Sequence, residues 1–317
     1  MKKTQNDLKI RYYSTIKSKK IEWLWYPYIP FGKITVIQGD PGDGKTTCIL
    51  KIAALLSKGL AMPQSATKMN PANILYQSAE DSVYDTIKPR LIRAGADCSK
   101  IAFIDVFSSD LFLNSPHLES AIKKTGARLL VLDPLQAYLG ADNDLNRAND
   151  MRPLMRNLSD VAERSGCAIV IIGHMNKSSG AKNLYRGLGS IDITASARSV
   201  LLVARLQDEA ETRVMVHIKS SLAPEGAIIA FEIEDTGGVK WLDKKVTKEE
   251  LLYGEITKQE AASEIISQML KTGPKPCAEI YSACLLENIQ SRTVNIAKKT
   301  LGVRSVKKGN NWHWTLE

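Results

Sequence analysis

No apolar run in the chain approaches the ~18 residues that a membrane-spanning helix needs, and the basic opening Met1-Lys2-Lys3-Thr4 is not followed by the apolar stretch of a secretory leader. Both absences predict a cytoplasmic protein. The five cysteines, Cys48, Cys98, Cys167, Cys277 and Cys284, are scattered without a C-x-x-C pair. That spacing indicates neither a zinc site nor a disulfide framework, and the thiols read as small buried hydrophobes. Internal repeats and low-complexity tracts are also missing, which leaves ordinary globular domains.

What is present suits such domains. The 317 residues are 44% hydrophobic and 24% charged, enough apolar surface for one large domain and a small one. The formal net charge of +9 permits a polyanionic partner without requiring one.

Short apolar runs alternate with helical patterns through the first two thirds of the chain. The runs Ile34–Ile37, Asn73–Tyr76, Ile101–Ile104, Leu129–Leu132, Ala168–Ile172, Val200–Ala204 and Val214–Ile218 read as strands buried on both faces. Helical patterns over Thr46–Leu56, Val83–Ala94 and Met151–Ser165 lie between several of them. The alternation predicts an α/β fold with a largely parallel sheet covered by helices. Val214–Ile218 and Ile228–Ile233 are read as a closing antiparallel hairpin. The expected domains are a basic lead over 1–20, a core over 21–243, a linker over 244–258 and a small C-terminal domain over 259–317.

Gly39-Asp40-Pro41-Gly42-Asp43-Gly44-Lys45-Thr46 matches G-x-x-x-x-G-K-[ST] between an apolar strand and a helix, the context this phosphate-binding loop requires. Glycines let the backbone wrap a phosphate chain with its N–H groups inward, and the helix N-terminus adds positive potential. Lys45 then reaches the β- and γ-phosphates of ATP, Thr46 offers its hydroxyl to Mg²⁺, and Thr47 completes the cradle. Leu129-Leu130-Val131-Leu132-Asp133 ends a buried strand in a carboxylate suited to the same metal, although Asp before Pro134 is also good turn chemistry. Glu80, after the strand ending near Tyr76, is the favoured base for hydrolysis, although either it or Asp81 could instead be a helix cap or a first-turn acid. Its neighbour Asp81 is read as a cap or a support for the metal's ligands. His174, closing Ile169-Val170-Ile171-Ile172-Gly173, is a candidate γ-phosphate sensor; an ordinary hydrogen-bonded histidine is the alternative.

Trp23-Leu24-Trp25, Ile29-Pro30-Phe31-Gly32-Lys33, the phosphate loop, Ala79-Glu80-Asp81, Leu132-Asp133-Pro134-Leu135 and Gly173-His174-Met175-Asn176-Lys177 together resemble the RecA-like ATPases grouped with the plasmid RepA-type hexameric helicases. That branch is common in phages and mobile elements. The resemblance covers about residues 20–235. It implies a RecA-like P-loop NTPase core, with an arginine finger at Arg198 and a second basic residue, Lys219, both acting on a neighbouring subunit's nucleotide. It therefore implies a homo-oligomer, with a hexamer favoured. It also implies that Lys177, Lys182 and Arg186 face single-stranded DNA, with Tyr185 able to stack on a base. An ion pair for Arg198 and a solvated loop for 177–186 remain the alternatives.

The last sixty residues read as three helices, 259–271, Cys277–Glu287 and one capped by Ser291 and ended by Gly302, followed by a hairpin over Val303–Trp314. That order resembles a winged helix-turn-helix. Residues 290–310 carry Arg292, Lys298, Lys299, Arg304, Lys307 and Lys308 and no acid, as a duplex-DNA contact would; a protein-docking module is the alternative. Three functions remain open: an ATP-driven helicase or translocase on DNA, a recombination or repair ATPase, and an ATP-switched DNA-binding regulator or loader.

Overall fold

The computed structural model describes residues 10–105, 111–140, 143–174, 191–206, 209, 211–247, 251, 258–309 and 311–316. The chain divides into two compact units, Met1–Lys245 and Val246–Glu317. Among the described residues no helix is long and apolar enough to cross a membrane.

The first unit runs β1 (Trp23–Trp25), β2 (Ile29–Pro30), β3 (Ile34–Gly39), α1 (Lys45–Lys58), β4 (Asn73–Ser78), α2 (Lys88–Arg93), β5 (Ile101–Ala102), α3 (Pro116–Thr125), β6 (Ala127–Asp133), α4 (Ala148–Ser165), β7 (Ala168–His174), α5 (Ile191–Ser196), β8 (Ser199–Arg205), β9 (Thr212–Ser220), β10 (Ile229–Ile233) and β11 (Val239–Leu242). Strands β3 to β11 form one nine-stranded sheet in the order β11-β10-β9-β8-β3-β7-β6-β4-β5. The strands from β8 to β5 are mutually parallel, and β8 to β11 continue as an antiparallel meander. The fold is therefore α/β, as the alternation of patterns predicts.

Apolar runs rather than alternating ones build this sheet because both of its faces are covered. Ile37, Tyr76, Val131, Val170 and Leu201 enter one core with α1, α2, Trp25 and Tyr28. Val36, Leu75, Leu132, Ile171 and Val200 enter the other, under α3, α4 and α5. In α4 the buried residues Met151, Leu154, Met155, Leu158, Val161 and Ala162 recur at the spacing that makes one helix face apolar. Each of the Met, Leu and Val side chains, fully buried, stabilises the fold by about 1.5–3 kcal/mol. The strand ends that carry polar residues are thus held by the two cores beneath them.

Several boundaries differ from the sequence reading, each for a local reason. The helix expected over Val83–Ala94 begins as a wide turn over Val83–Ile87, in which the N–H groups of Thr86 and Ile87 both donate to the Ser82 carbonyl. Regular helix starts only with α2, where Pro89 lies at the N-terminus and its missing N–H is tolerated. Strand β5 stops at Ala102 because the Gln77 side-chain amide takes over the backbone of Ile104, donating to its carbonyl at 3.1 Å and accepting its N–H at 2.9 Å. The sheet does not end with β10. A third antiparallel strand, β11, pairs Trp241 with Phe231 in a stretch read as leading into a linker. Helix α3 was not anticipated, although Ser115 caps it, Pro116 opens it and Gly126 closes it in the left-handed region.

The second unit contains α6 (Lys258–Leu270), β12 (Lys275–Pro276), α7 (Cys277–Leu286), α8 (Ser291–Thr300), β13 (Arg304–Lys308) and β14 (Asn311–Thr315). The strands pair in the order β12-β14-β13. Ile266, Ile280, Cys284, Val294, Ala297 and Trp314 are among the residues of its own core. Gln290, not Ser291, is the residue before the first turn of α8, and no side chain caps it.

Candidate functional site

Five neighbouring parallel strands deliver the polar candidates to one edge of the sheet. β8 ends in Arg205, β3 runs into the loop 39–46, β7 ends in His174, β6 ends in Asp133, and β4 is followed by Glu80. In register, Gly39 lies beside His174 and Ser78 beside Asp133. Neighbouring strands lie about 4.8 Å apart, so the row is compact. It occupies the carboxyl ends of parallel strands, where open α/β sheets bind their ligands.

The loop depends on two glycines. A Cβ on Gly39 would lie 2.2 Å from the Val203 carbonyl oxygen, so only glycine lets β3 approach β8 this closely. Gly44, at φ 92, precedes the first turn of α1, and a Cβ there would meet Ile233 Cδ1 at 2.7 Å. Lys45 is 4% exposed. Its Nζ donates to the carbonyls of Gly39 at 3.0 Å and Asp40 at 2.8 Å, which holds the ammonium within the loop. Burial pulls its pKa below the usual lysine range, while Asp43, Asp133, Asp40 and Glu80 act in the opposite direction.

Asp133 is nearly buried, and two hydroxyls converge on it. Thr46 Oγ1 and Tyr76 OH each donate to Oδ2 at 2.8 Å. Burial raises the Asp133 pKa, the two hydrogen bonds lower it, and the charges of Glu80 and Asp81 raise it further. The sequence reading did not single out Tyr76, since an aromatic residue in a buried strand is ordinary until its hydroxyl is placed. A hydroxyl and a carboxylate oxygen side by side at the start of α1 form the donor set a Mg²⁺ takes beside phosphate. The shielded Nδ1 of His174, without a partner among the described residues, lies on the intervening strand. The residues present therefore fit a magnesium-bound nucleoside triphosphate.

The two neighbouring acids have different surroundings. Asp81 is paired with Arg90 at 2.8 Å and its N–H donates to Ser78 Oγ. Glu80 is solvent-exposed, yet close enough for its charge to act on Lys45 and Asp133.

Arg198 and Lys219 lie away from this row. β8 runs parallel to β3 and its first residue, Ser199, sits opposite Thr35, so Arg198 is at the other end of the strand from the loop. Lys219 pairs across to Val200. Its Nζ donates to the carbonyls of Thr194, Ala195 and Ala197 at 2.8–2.9 Å, capping the end of α5. Burial and the nearby Arg198 lower its pKa. Arg198 is exposed, and among the described residues no carboxylate pairs with its guanidinium. Buried His217 pins this end of the sheet. Its Nδ1 accepts the Gly226 N–H at 2.9 Å, which leaves Nε2 to donate to Ser199 Oγ at 3.1 Å. Lys177, Lys182, Tyr185 and Arg186 lie outside the described residues.

In the second unit Arg292, Lys299, Arg304, Lys307 and Lys308 are exposed. Lys298 is turned inward: its Nζ donates to Ser305 Oγ at 2.6 Å and lies 4.7 Å from the centre of the Trp314 ring.

One contact was not expected. Arg205 Nη2 donates to the Gly42 carbonyl at 2.9 Å, and its Nε lies 3.7 Å from Asp43 Oδ1. Asp43 Oδ2 accepts the Asp40 N–H at 2.9 Å, so a carboxylate occupies a loop donor beside the phosphate position, offset by Arg205. The only signal in the sequence is a charged residue closing the apolar run Val200–Ala204. Arg205→Ala is therefore expected to weaken ATP affinity by about tenfold, the scale of one charge-assisted hydrogen bond. Asp43→Asn in the same chain should restore most of the loss. Nucleotide titrations of the two single variants and the double variant check this; a loss from Arg205→Ala that persists undiminished in the double variant would show that Arg205 acts independently of Asp43.

Strand, glycine loop, buried lysine and the Thr46–Asp133 pair define a P-loop nucleoside triphosphatase core of the RecA-like type. A family model described as AAA domain matches residues 7–180, and the chain belongs to that family. The DNA repair protein RadA of Bacillus subtilis is 27% identical over 148 residues, 46% of this chain and 28% of its own. RadA of Helicobacter pylori is 25% identical over 215 residues, 65% of this chain and 41% of its own. The matched stretch is thus less than half the length of these relatives. An ATPase domain of known structure has the same fold, with a TM-score of 0.50 at 15% identity over 67% of this chain and 85% of that one.

Proposed function

We propose that the protein is a magnesium-dependent ATPase whose turnover is coupled to DNA, a ring-forming helicase or translocase of a phage, plasmid or other mobile element working in the cytoplasm. The observation that carries the ATPase reading is the single edge on which Lys45, the Thr46–Asp133 pair and Glu80 converge. Lys45 and the loop N–H groups hold the β- and γ-phosphates. A Mg²⁺ held by Thr46 and Asp133 would neutralise charge on the phosphate oxygens. Glu80, exposed at the rim and unlike Asp81 not engaged by Arg90, orients the attacking water and accepts its proton. His174, between loop and metal acid, senses the terminal phosphate, and the chain continues from it into the stretch carrying Lys177, Lys182 and Arg186.

DNA enters the proposal through the RadA relatives, which are DNA repair proteins, and through the basic second unit, proposed as a winged helix-turn-helix on duplex DNA. Arg198, exposed and remote from the loop of its own chain, suits a homo-oligomer, with a hexamer favoured, in which one subunit completes its neighbour's site. Lys219, whose three N–H donors are taken by the carbonyls of Thr194, Ala195 and Ala197, would hold the backbone just before Arg198 rather than reach a nucleotide itself. The same RadA likeness favours a second reading, a recombination or repair ATPase. ATP hydrolysis measured with and without single-stranded DNA tests both, and a severalfold stimulation is expected. Strand displacement on a forked duplex then selects the helicase; stimulation without displacement selects the repair ATPase; no turnover under any condition refutes both.

A further inference from the structure

Tryptophan is an unfavourable side chain to leave in water, because it can bury some 150–250 Å². In the second unit the two tryptophans of β14 have opposite fates. Residues 312 and 314 lie on the same face of the strand. Trp314 is 3% exposed, with the Tyr281 ring 5.1 Å away and the Lys298 ammonium over its face. Trp312 is 53% exposed and makes no ring contact among the described residues. Its cross-strand partner is Lys307, and Lys308 follows; both are exposed. On α8 the exposed residues Arg292, Asn295, Ile296 and Lys299 recur at the spacing of one helix face. Residues 290–310 contain six basic residues and no acid.

These surroundings decide what covers the ring. An apolar protein surface would have to strip water from lysines without offering them a counter-charge. Phosphates supply that charge and bases supply a flat π-face, a pairing that single-strand-binding surfaces use repeatedly. Inside a duplex the faces of the bases are already stacked on one another. A ring at the edge of a basic hairpin therefore meets an open face where pairing ends.

We propose that Trp312 is a stacking platform for the first unpaired base, so that the C-terminal unit binds the junction between duplex and single-stranded DNA. The α8 stripe lies along the duplex backbone, and Lys307 and Lys308 hold the phosphates that flank the stacked nucleotide. This rests on the reading of the unit as DNA-binding, and the test separates the two.

The full-length chain, without nucleotide, is titrated against two DNAs of equal duplex length, one blunt and one with a short single-stranded tail carrying 2-aminopurine at its first unpaired position. The wild type is expected to bind the tailed DNA more tightly and to quench the 2-aminopurine. Trp312→Ala should weaken tailed binding by about tenfold, the scale of one base–aromatic stack, abolish the quenching and leave blunt binding nearly unchanged. Trp312→Tyr, which keeps an aromatic face, should restore both signals. Lys299→Ala should weaken both DNAs alike. If Trp312→Ala changes neither DNA, or both equally, the stacking role is overturned, while a loss from Lys299→Ala on both DNAs still supports duplex binding by the unit; if Lys299→Ala changes neither, that reading falls as well. If the wild type binds neither DNA, both readings fall.

Discussion

Lys45→Ala is expected to remove magnesium-dependent ATP binding, with an affinity loss of roughly hundredfold or more. The wild-type lysine is 4% exposed and its ammonium is held by two loop carbonyls, which keeps it inside the loop that would wrap the phosphates. A charge-assisted hydrogen bond is worth about 1.5–3 kcal/mol, and lysine makes more than one to the phosphate chain. The variant also leaves Asp43, Asp133, Asp40 and Glu80, whose charges all act on Lys45, facing the triphosphate without a compensating cation. Its side-chain hydrogen bonds go to the loop that carries it, so the folded content seen by circular dichroism should be preserved. A fluorescent ATP analogue titrated with and without Mg²⁺ reads the effect, and unimpaired binding would place the nucleotide elsewhere.

Arg198→Ala should behave in the opposite way. Nucleotide binding should survive, because Arg198 lies at the end of β8 remote from the loop and donates nothing to the row of Lys45, Asp133 and Glu80. Turnover in the assembled state should fall by about 10³–10⁵, the range over which an arginine finger acts. Mixing experiments give the decisive readout. Arg198→Ala and Glu80→Gln subunits are each inactive alone, but a mixed assembly contains interfaces where an intact Glu80 meets an intact Arg198 from the neighbour. Recovered activity on mixing supports completion between subunits. A mixture as inactive as its components would confine both residues to their own chain and remove the argument for a ring.

Much of the architecture could be read from the residue pattern because burial on both sheet faces imposes long apolar runs. The loop could be read because its glycine spacing is that of a phosphate-binding turn, and the structure leaves no room for a side chain at 39 or 44. What escaped depends on side chains that meet across the fold. Tyr76 meets Asp133 from 57 residues away and Arg205 meets Gly42 from 163, and no local periodicity encodes either meeting. Strand β11 was obscured because its four residues include Lys240 and abut a charged segment. Its pairing is set by Phe231 and Trp241 packing ring to ring at 5.7 Å. The wide turn at Val83–Ile87 was hidden for a similar reason: the apolar spacing suits a helix, but the Ser82 carbonyl accepts two N–H groups at once.

The pair of hydroxyls on Asp133 carries a thermodynamic consequence. Thr46 and Tyr76 clamp one carboxylate oxygen from α1 and β4, so the acid is already confined to one rotamer. A cation that arrives there has little side-chain freedom left to quench. The ordering was accomplished when the two elements packed, which makes the proposed metal post a rigid fixture of the folded chain.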